Sequence, residues 1–311
     1  MSKYVLKRLI SGFITVFFIA SFTFFGMHMI PGDPLSQDKA MTEESRAALN
    51  KKYGFDKSLY EQYFIFLKNT SKGDFGLSFT KKGQEVTDII KDGFKISVKL
   101  GVMAILFAAF GGILWGAITA KYRNKWPDYV IMVFVILGIS VPSFVFASFA
   151  QLGIVHINQT FNLVLPYRGD DSFVSLIVPA LVLGLGTMAF LTRLMRSSLL
   201  EVINSDFVRT AKAKGLSPKQ IFFSYELRNS ILPVITIIGP AIAGITTGSF
   251  VIETIFTIPG LGKHFVEGVQ QNDYTLIMGT TVFYGSFLVL MVLLVDIVYG
   301  FVDPRIQVEK S

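Results

Sequence analysis

The sequence contains no cysteine, which excludes disulfide bonds, thiol catalysis and cysteine-ligated metal sites. Charged residues are also scarce. They make up 16% of the chain against 51% hydrophobic residues, a balance unlike that of soluble globular domains. The few charges are unevenly placed, so long uncharged runs remain between them. The chain is therefore predicted to lie mainly within a membrane.

Further absences narrow the possible functions. The histidines, His28, His156 and His264, have no partner at metal-ligand spacing, so no metal site is predicted. The chain lacks a Gly-x-x-x-x-Gly-Lys-Ser/Thr phosphate loop, so we expect it neither to hydrolyse nucleotides nor to bind a cofactor itself. No convincing internal repeat is present, which disfavours a secondary transporter built from inverted repeats.

Long apolar runs dominate what the chain does contain. Roughly 20 apolar residues of helix cross a bilayer core, and the ten-residue alternation typical of membrane β-strands is absent. The first run is about twice the length of a signal-peptide core and no cleavage pattern follows it, so we expect it to remain as a helix. We predict an all-α, polytopic membrane protein. Its six transmembrane helices are expected at Leu9–Ile30, Leu100–Ala120, Tyr129–Val155, Ser172–Thr192, Ser230–Ile252 and Leu276–Val302.

Lysine and arginine concentrate in alternate loops of this arrangement. With the N-terminus inside, the inner segments carry most of these cations, whereas the short outer loops carry only Arg168 and Lys263. Loops rich in Lys and Arg stay on the cytoplasmic side, so both termini are predicted to be cytoplasmic. The formal net charge of +7 follows mostly from this asymmetry and does not support nucleic-acid binding.

Polar residues between the first two spans are predicted to form a small helical cap on the outer face. Thr42 can cap one helix and Ser58 a second with aromatic residues on one side, and a third is expected at Glu85–Lys91, ahead of Gly93. The aromatic spacing favours a folded cap over a solvated spacer. The predicted divisions are 1–30 (N-terminus and first span), 31–96 (cap), 97–302 (five-helix core with the inner loop 193–229) and 303–311 (cytoplasmic tail).

The inner loop 193–229 carries the strongest functional signal. Ser205 can cap a short helix over Asp206–Lys214, Gly215 can end it, and Ser217-Pro218 can begin another. The short helix is predicted to lie crosswise between longer ones. Basic inner loops often only fix topology, but the caps and small residues favour docking against an acidic or polar groove. The residues expected on its surface are Arg209, Lys212 and Lys214, with the small residues Thr210, Ala211 and Ala213 between them.

The run from Asp206 to Gly215 resembles the EAA loop of ATP-binding-cassette importer permeases, with Arg209-Thr210-Ala211 in the place of Glu-Ala-Ala. The missing glutamate and the late Leu232-Pro233 are similar to the peptide-permease branch. The resemblance, to the first permease subunit of oligopeptide and dipeptide (Opp/Dpp-type) importers, covers nearly the whole chain. Its other motifs are Pro31-Gly-Asp-Pro34, Tyr53-Gly-Phe-Asp56, Gly73-Asp-Phe-Gly76, Gly138-Ile-Ser-Val-Pro142, Leu165-Pro166, Glu253-Thr-Ile-Phe256, Pro259-Gly-Leu-Gly262 and Asp303-Pro-Arg-Ile306.

That resemblance implies a type I importer permease in a prokaryotic plasma membrane, driven by other subunits. The EAA loop of such permeases is a coupling helix that lies in a groove of a cytoplasmic ATPase. The implied partners are a second, homologous permease, two ATPases that hold ATP and Mg, and an extracellular or periplasmic peptide-binding protein. The implied ATPase-contact positions are Arg209, Thr210, Ala211 and Gly215, with the neighbours Lys212 and Lys214.

A pathway for peptides should be roomy, polar in patches and weakly selective. Ser143, Thr187 and Thr246 are candidate lining residues. Asp296, a charge inside the last predicted span, either lines the pathway or pairs with a cation such as Arg193. The last outer loop, 253–275, is too apolar for a solvated loop, so it either dips toward the pore or packs under the cap.

The predicted function is that of a permease subunit of an ATP-driven oligopeptide importer. Dipeptide and nickel-chelate import are alternatives with the same architecture. A secondary transporter working alone would need paired intramembrane acids, and only Asp296 lies deep in a span. A membrane-embedded hydrolase would need a nucleophile with its base, or metal ligands, and no such set is found in the sequence.

Overall fold

The computed structural model describes residues 2–29, 56–81, 83–166, 168–169, 172–246 and 250–302, without the side chains of 2–5, 243, 246 and 296–302. The predicted helix after Thr42 and the motifs that begin at Pro31 and Asp303 lie outside the described residues. The chain divides into two compact units, Met1–Ile96 with Pro259–Ser311, and Ser97–Ile258.

Helices and turns make up the described part of the chain, with an isolated antiparallel bridge between Leu77 and Glu85. Its helices are α1 (Ser2–Met29), α2 (Leu59–Thr70), α3 (Val86–Lys121), α4 (Trp126–Ser140), α5 (Ser143–Phe161), α6 (Phe173–Ile203), α7 (Asp206–Ala213), α8 (Pro218–Ile221), a π-helix (Phe222–Leu227), α9 (Arg228–Ser230), α10 (Leu232–Thr246), α11 (Phe250–Ile255), α12 (Leu261–Gln270) and α13 (Tyr274–Val302).

Four of these helices, α1, α3, α6 and α13, are long and apolar enough to cross a membrane. Two bent pairs, α4 with α5 and Pro218–Ser230 with α10, raise the number to six if each pair is one span. The predicted class, an all-α polytopic membrane protein, is confirmed for the described residues.

In the first unit, α1 and α13 pack as a close antiparallel pair. A Cβ added to Gly12 would lie 3.0 Å from Val289 Cγ1, and one added to Gly285 would lie 2.7 Å from Ile19 Cδ1. Glycine at these two points lets the helices approach each other, as small residues commonly do in membranes.

α2 confirms the second helix predicted for the cap. Ser58 is its N-cap residue, and Ser58 and Glu61 form a reciprocal capping box. The aromatic side of α2 faces α1, where the Tyr63 hydroxyl lies 2.6 Å from Ser21 Oγ. The Tyr63 ring also packs 5.4 Å from the ring of Phe24, measured between centroids. Tyr63 is half-buried in this contact, whereas Tyr60 and Phe64 are exposed, so only part of the predicted aromatic side packs against the chain.

α3 is one continuous helix, although the sequence predicts two separate elements here, the third cap helix and the second span. The predicted helix end ahead of Gly93 is wrong, because this glycine lies inside α3 at a close packing contact. A Cβ added there would lie 3.0 Å from the backbone N of Leu261. Around it, Val86 and Ile90 pack in one buried cluster with Leu261 and Leu276. The segment after Pro259 therefore packs against the cap, one of the two predicted alternatives.

Asp273 fastens the cap to the start of α13. Its buried carboxylate accepts hydrogen bonds from the backbone N (3.1 Å) and hydroxyl (2.9 Å) of Thr80 and from the hydroxyl of Ser78. The backbone N of Leu276 donates to its other oxygen (3.1 Å). Burial alone would raise the pKa of Asp273, but these donors outweigh burial and lower that pKa below its ordinary value. The ionised carboxylate is therefore the form that holds this junction.

Replacing Asp273 with asparagine should lower the free energy of unfolding of the first unit by about 3 kcal/mol, since the amide cannot accept every one of these hydrogen bonds. The carboxylate's contribution is present above its unfolded pKa, about 3.9, and is lost as the pH falls through the lower folded value. Thermal unfolding at pH 7 and at about pH 3 measures both effects. The exposed Asp88→Asn is the control; an equal loss in both variants contradicts the assignment.

α6 is the helix around which the second unit is built, with contacts to α4, α5, α9, α10 and α11. α3 approaches it through a Gly-x-x-x-Gly pair. A Cβ added to Gly112 would lie 2.6 Å from Leu191 Cβ, and one added to Gly116 would lie 2.5 Å from Met195 Cβ. These distances are too short for a real side chain, so the α3–α6 contact requires glycine at both positions.

The third predicted span, Tyr129–Val155, is wrong as a single helix. α4 ends at Ser140, α5 begins at Ser143, and the two helices are bent by 110° at the break. Pro142 has no N–H to continue the helix, and the preceding Val141 takes an extended conformation (φ −91°, ψ 127°). The apolar run therefore forms two helices joined by a sharp turn.

The fifth predicted span, Ser230–Ile252, contains α10, which is described up to Thr246, and α11, which is described from Phe250; residues 247–249 between them lie outside the described residues. Before α10, the chain from Pro218 passes through the π-helix and bends by 46°. Pro233, in the first turn of α10, cannot donate a backbone hydrogen bond to the preceding turn, which is consistent with a bend here.

Candidate functional site

α7 has nearly the bounds that the sequence predicts. It covers Asp206–Ala213, and Lys214 is its C-cap residue. Gly215 follows at φ +74°, in the left-handed region that glycine adopts without strain, so the predicted stop is confirmed. Ser205 is the N-cap residue as predicted, but its hydroxyl donates to the carbonyl of Val202 (2.6 Å) instead of accepting a hydrogen bond from α7.

The helix after α7 begins where predicted. Ser217 and Gln220 form a capping box: Gln220 N donates to Ser217 Oγ (3.3 Å), and Ser217 N donates to Gln220 Oε1 (3.1 Å). Pro218 takes the first helical position. α7 is therefore bounded on one side by a glycine turn and a capped helix, and on the other by the end of α6.

One face of α7 is buried against its own chain. Val208 and Ala211 lie three residues apart on this inner face and pack with Ile221, flanked by Leu216 and Tyr225. Ala211 is only 2% exposed, so the expectation that it lies on the surface is wrong. Its small side chain instead lets α7 pack closely on the segment that follows.

The opposite, outer face of α7 is exposed. Thr210 and Ala213 lie on it, and the Thr210 hydroxyl donates to the carbonyl of Asp206 (2.9 Å), so it is already satisfied. Arg209 makes a long, exposed contact with Asp206 (3.5 Å). The surface is therefore small and polar with cations around it. The predicted surface residues that the structure exposes are Arg209, Thr210, Lys212, Ala213, Lys214 and Gly215.

Phe207 is a surface residue of α7 that the sequence analysis did not select. Its side chain is 44% exposed although it is aromatic. Exposed aromatic side chains are disproportionately important in protein–protein contacts. The sequence alone does not give this exposure, because it depends on the rotation of α7, which the burial of Val208 reveals only in the structure.

Rigid packing connects α7 to the longer helices of the second unit. Leu199, near the end of α6, is fully buried in a cluster with Val234 of α10. Phe222 and Leu227 of the π-helix pack against the same cluster. Because both flanks of α7 enter one apolar core, a displacement of α7 is expected to move α6 and α10 together.

The candidate pathway residues lie on separate helices. Ser143 is exposed as the first residue of α5, and Thr187 is half-buried in the middle of α6. Thr246 ends α10 and Asp296 lies in α13, but both side chains are outside the described residues. Whether these residues line a pathway stays a prediction.

Two carboxylates that were not predicted as buried lie in the interior of the second unit. Asp128 forms a two-pronged ion pair with Arg196 (2.9 and 2.8 Å), and Glu253 is fully buried with the Ser97 hydroxyl donating to it (2.8 Å). Neither pair is close in sequence, with separations of 68 and 156 residues. Local patterns therefore carry no signal for them.

His264 has an ion-pair environment in the first unit. Lys81 Nζ lies 2.7 Å from His264 Nδ1 and 3.1 Å from a carboxylate oxygen of Glu267. Burial and the charge of Lys81 lower the pKa of His264, so its neutral form is favoured. Among the described residues, no group of three His, Asp or Glu side chains could hold a metal ion.

Comparison with known proteins places these features in a family. Residues 112–308 match the family model described as binding-protein-dependent transport system inner membrane component, and residues 1–101 match the model for the N-terminal region of such components. The dipeptide transport system permease protein DppB of Bacillus subtilis is 43% identical over the full length of both chains. The oligopeptide transport system permease protein OppB of Haemophilus influenzae is 41% identical, over 99% of this chain and 100% of that protein.

The fold, together with the short helix α7 between α6 and the capped helix α8, thus identifies the chain as a multi-pass, all-α membrane permease subunit. The chain is a member of the binding-protein-dependent transport system inner membrane component family, in the branch that includes the OppB and DppB permeases.

Proposed function

We propose that this chain is a permease subunit of an ATP-driven, binding-protein-dependent oligopeptide importer, and that α7 couples it to a cytoplasmic ATPase. The observation that carries the proposal is the two-faced geometry of α7. Its inner face is fixed in the core of the chain through Val208 and Ala211, while its outer face presents Thr210 and Ala213 with cations around them.

This geometry suits a part that transmits force. A partner groove can approach the small side chains of Thr210 and Ala213 closely, and acidic or polar groups in it would complement Arg209, Lys212 and Lys214. ATP and Mg would be held by the partner ATPases, since this chain has no phosphate loop. Closure of two ATPases would then displace α7, and with it α6 and α10.

The remaining partners follow from the same function. A second, homologous permease would complete the pathway, and an external binding protein would deliver the peptide. This arrangement requires α7 and both termini on the cytoplasmic side, in agreement with the distribution of Lys and Arg. Among the six proposed contact positions, Ala211 would act indirectly, by fixing α7 to its own chain, because it is buried.

The substrate class is proposed from the relatives. Their names divide between oligopeptide and dipeptide transport, and the dipeptide permease of Bacillus subtilis has the higher identity of the two compared above. Dipeptide import is therefore the second candidate function. Specificity is expected to depend mainly on the binding protein.

The test is uptake by the complete transporter reconstituted in proteoliposomes, with ATP enclosed with the ATPases and with labelled dipeptides and longer oligopeptides supplied outside. We expect uptake only when ATP, the ATPases and the binding protein are all present. Uptake by this chain alone on a proton gradient would contradict the proposal, and a strict limit to two residues would favour the dipeptide alternative.

A further inference from the structure

The ion pair between Asp128 and Arg196 joins α4 to α6. Arg196 Nε donates to one oxygen of Asp128 (2.9 Å) and its Nη2 to the other (2.8 Å), a fork that holds both orientation and distance. The backbone N of Asn124, a residue at φ +60°, donates a third hydrogen bond to the carboxylate (3.0 Å). The side chain of Asp128 is only 4% exposed, so its geometry is well defined by its partners.

A pair of this kind is an inefficient source of stability. Burying two charges costs about as much free energy as their mutual attraction returns. Deleting one partner of a buried pair is strongly destabilising, because the other charge stays buried without compensation. Apolar packing could join the two helices at lower cost. The pair is therefore better explained by its geometry, which fixes the position of α4 relative to α6.

A second contact fixes α4 on α6 further along both helices. A Cβ added to Gly138 would lie 3.1 Å from Ala189 Cβ, and one added to Gly186 would lie 3.7 Å from the carbonyl oxygen of Gly138. Two contacts at separate levels prevent α4 from pivoting on α6. Directly after Gly138, the chain breaks at Pro142 and turns by 110° into α5.

We infer that Asp128 and Arg196 are positioning residues that make α4 move as one body with α6, so that displacement of α7 reaches the break before α5. This inference rests on the proposed function. Arg196 lies near the α7 end of α6, and the exposed Ser143 is the first residue beyond the break. The pair thus connects the ATPase side of the chain to a candidate pathway residue.

The test compares uptake with ATP hydrolysis in the same proteoliposomes, using the complete transporter with Asp128→Asn or Arg196→Gln. We expect hydrolysis to stay within about twofold of wild type while peptide uptake falls about tenfold, so that more ATP is used per peptide. Lys95→Gln, which removes an exposed ion pair with Asp92, is the matched control and should leave the ratio unchanged.

A purely structural role gives a different result, in which uptake and hydrolysis fall together with the amount of assembled transporter. That result, or an unchanged ratio of ATP to peptide, overturns the inference. If the neutral variants fail to assemble, Arg196→Lys keeps the charge but loses the fork, and it should still raise the ratio. Wild-type vesicles without ATP-driven uptake would contradict the proposed function itself. Normal wild-type uptake, together with variants that use no more ATP per peptide than wild type, contradicts only the positioning role.

Discussion

Replacing Ala213 with tryptophan should detach the ATPase from a correctly folded permease. Ala213 is exposed on the outer face of α7, so the indole enlarges that face without entering the core of the chain. A groove that accepts alanine at close range cannot accept tryptophan without moving apart. We expect ATPase association to weaken by about 3 kcal/mol, roughly 100-fold in Kd, and ATP-driven uptake to be lost.

Copurification of the ATPase with the tagged permease, followed by titration in nanodiscs, measures this effect. Ala213→Ser is the matched control, since it keeps the small size, and it should bind as wild type does. The thermal unfolding midpoint of the permease alone should be unchanged in both variants. Normal ATPase binding by the tryptophan variant would mean that the outer face of α7 is not the contact surface.

Replacing Gly116 with leucine should prevent the second unit from packing. A Cβ at this position would lie 2.5 Å from Met195 Cβ and 2.8 Å from the carbonyl oxygen of Thr192. The backbone oxygen cannot be moved by a rotamer change, so α3 and α6 must separate. Overpacking of this kind costs about 1–3 kcal/mol for a few added methylenes, and a whole leucine should reach or exceed the upper end.

The permease's abundance in membranes and its thermal unfolding midpoint in detergent should both fall for Gly116→Leu. Gly153→Leu is the control, because a Cβ at Gly153 on α5 meets no atom within 4 Å. Both glycines lie in apolar helices, so the two changes add the same side chain in different packing environments. If the two variants are equally stable, the close contact between α3 and α6 is wrong.

Much of the helical structure could be predicted because its signals are local. Caps and a glycine stop locate the start of α2 and both ends of α7 within a residue or two, since each depends on a few neighbouring side chains. Proline shows where local reasoning fails. Pro142 separates α4 from α5, whereas Pro179 lies inside the uninterrupted α6. Because one proline ends a helix and the other does not, the packing around each proline must decide whether the helix continues.

The site follows the same division. The position of α7 and its cations are legible in the sequence, but its rotation is not, because rotation depends on which side meets the rest of the chain. Ala211 and Ala213 are two residues apart in similar surroundings, yet one is buried and the other exposed. Asp128 and Arg196 meet only in the folded chain, across 68 residues of sequence.

A photo-crosslinking measurement on α7 tests the central claim most directly, and the absence of native cysteine in this chain makes it specific. A benzophenone maleimide attached to Thr210→Cys, on the outer face, should crosslink to the ATPase in the assembled transporter, with a yield that changes when ATP binds. The same probe on Val164→Cys, an exposed position in the turn after α5, is the control and should give no such product. If the Thr210→Cys probe reaches only lipid or the external binding protein, α7 does not couple this chain to an ATPase.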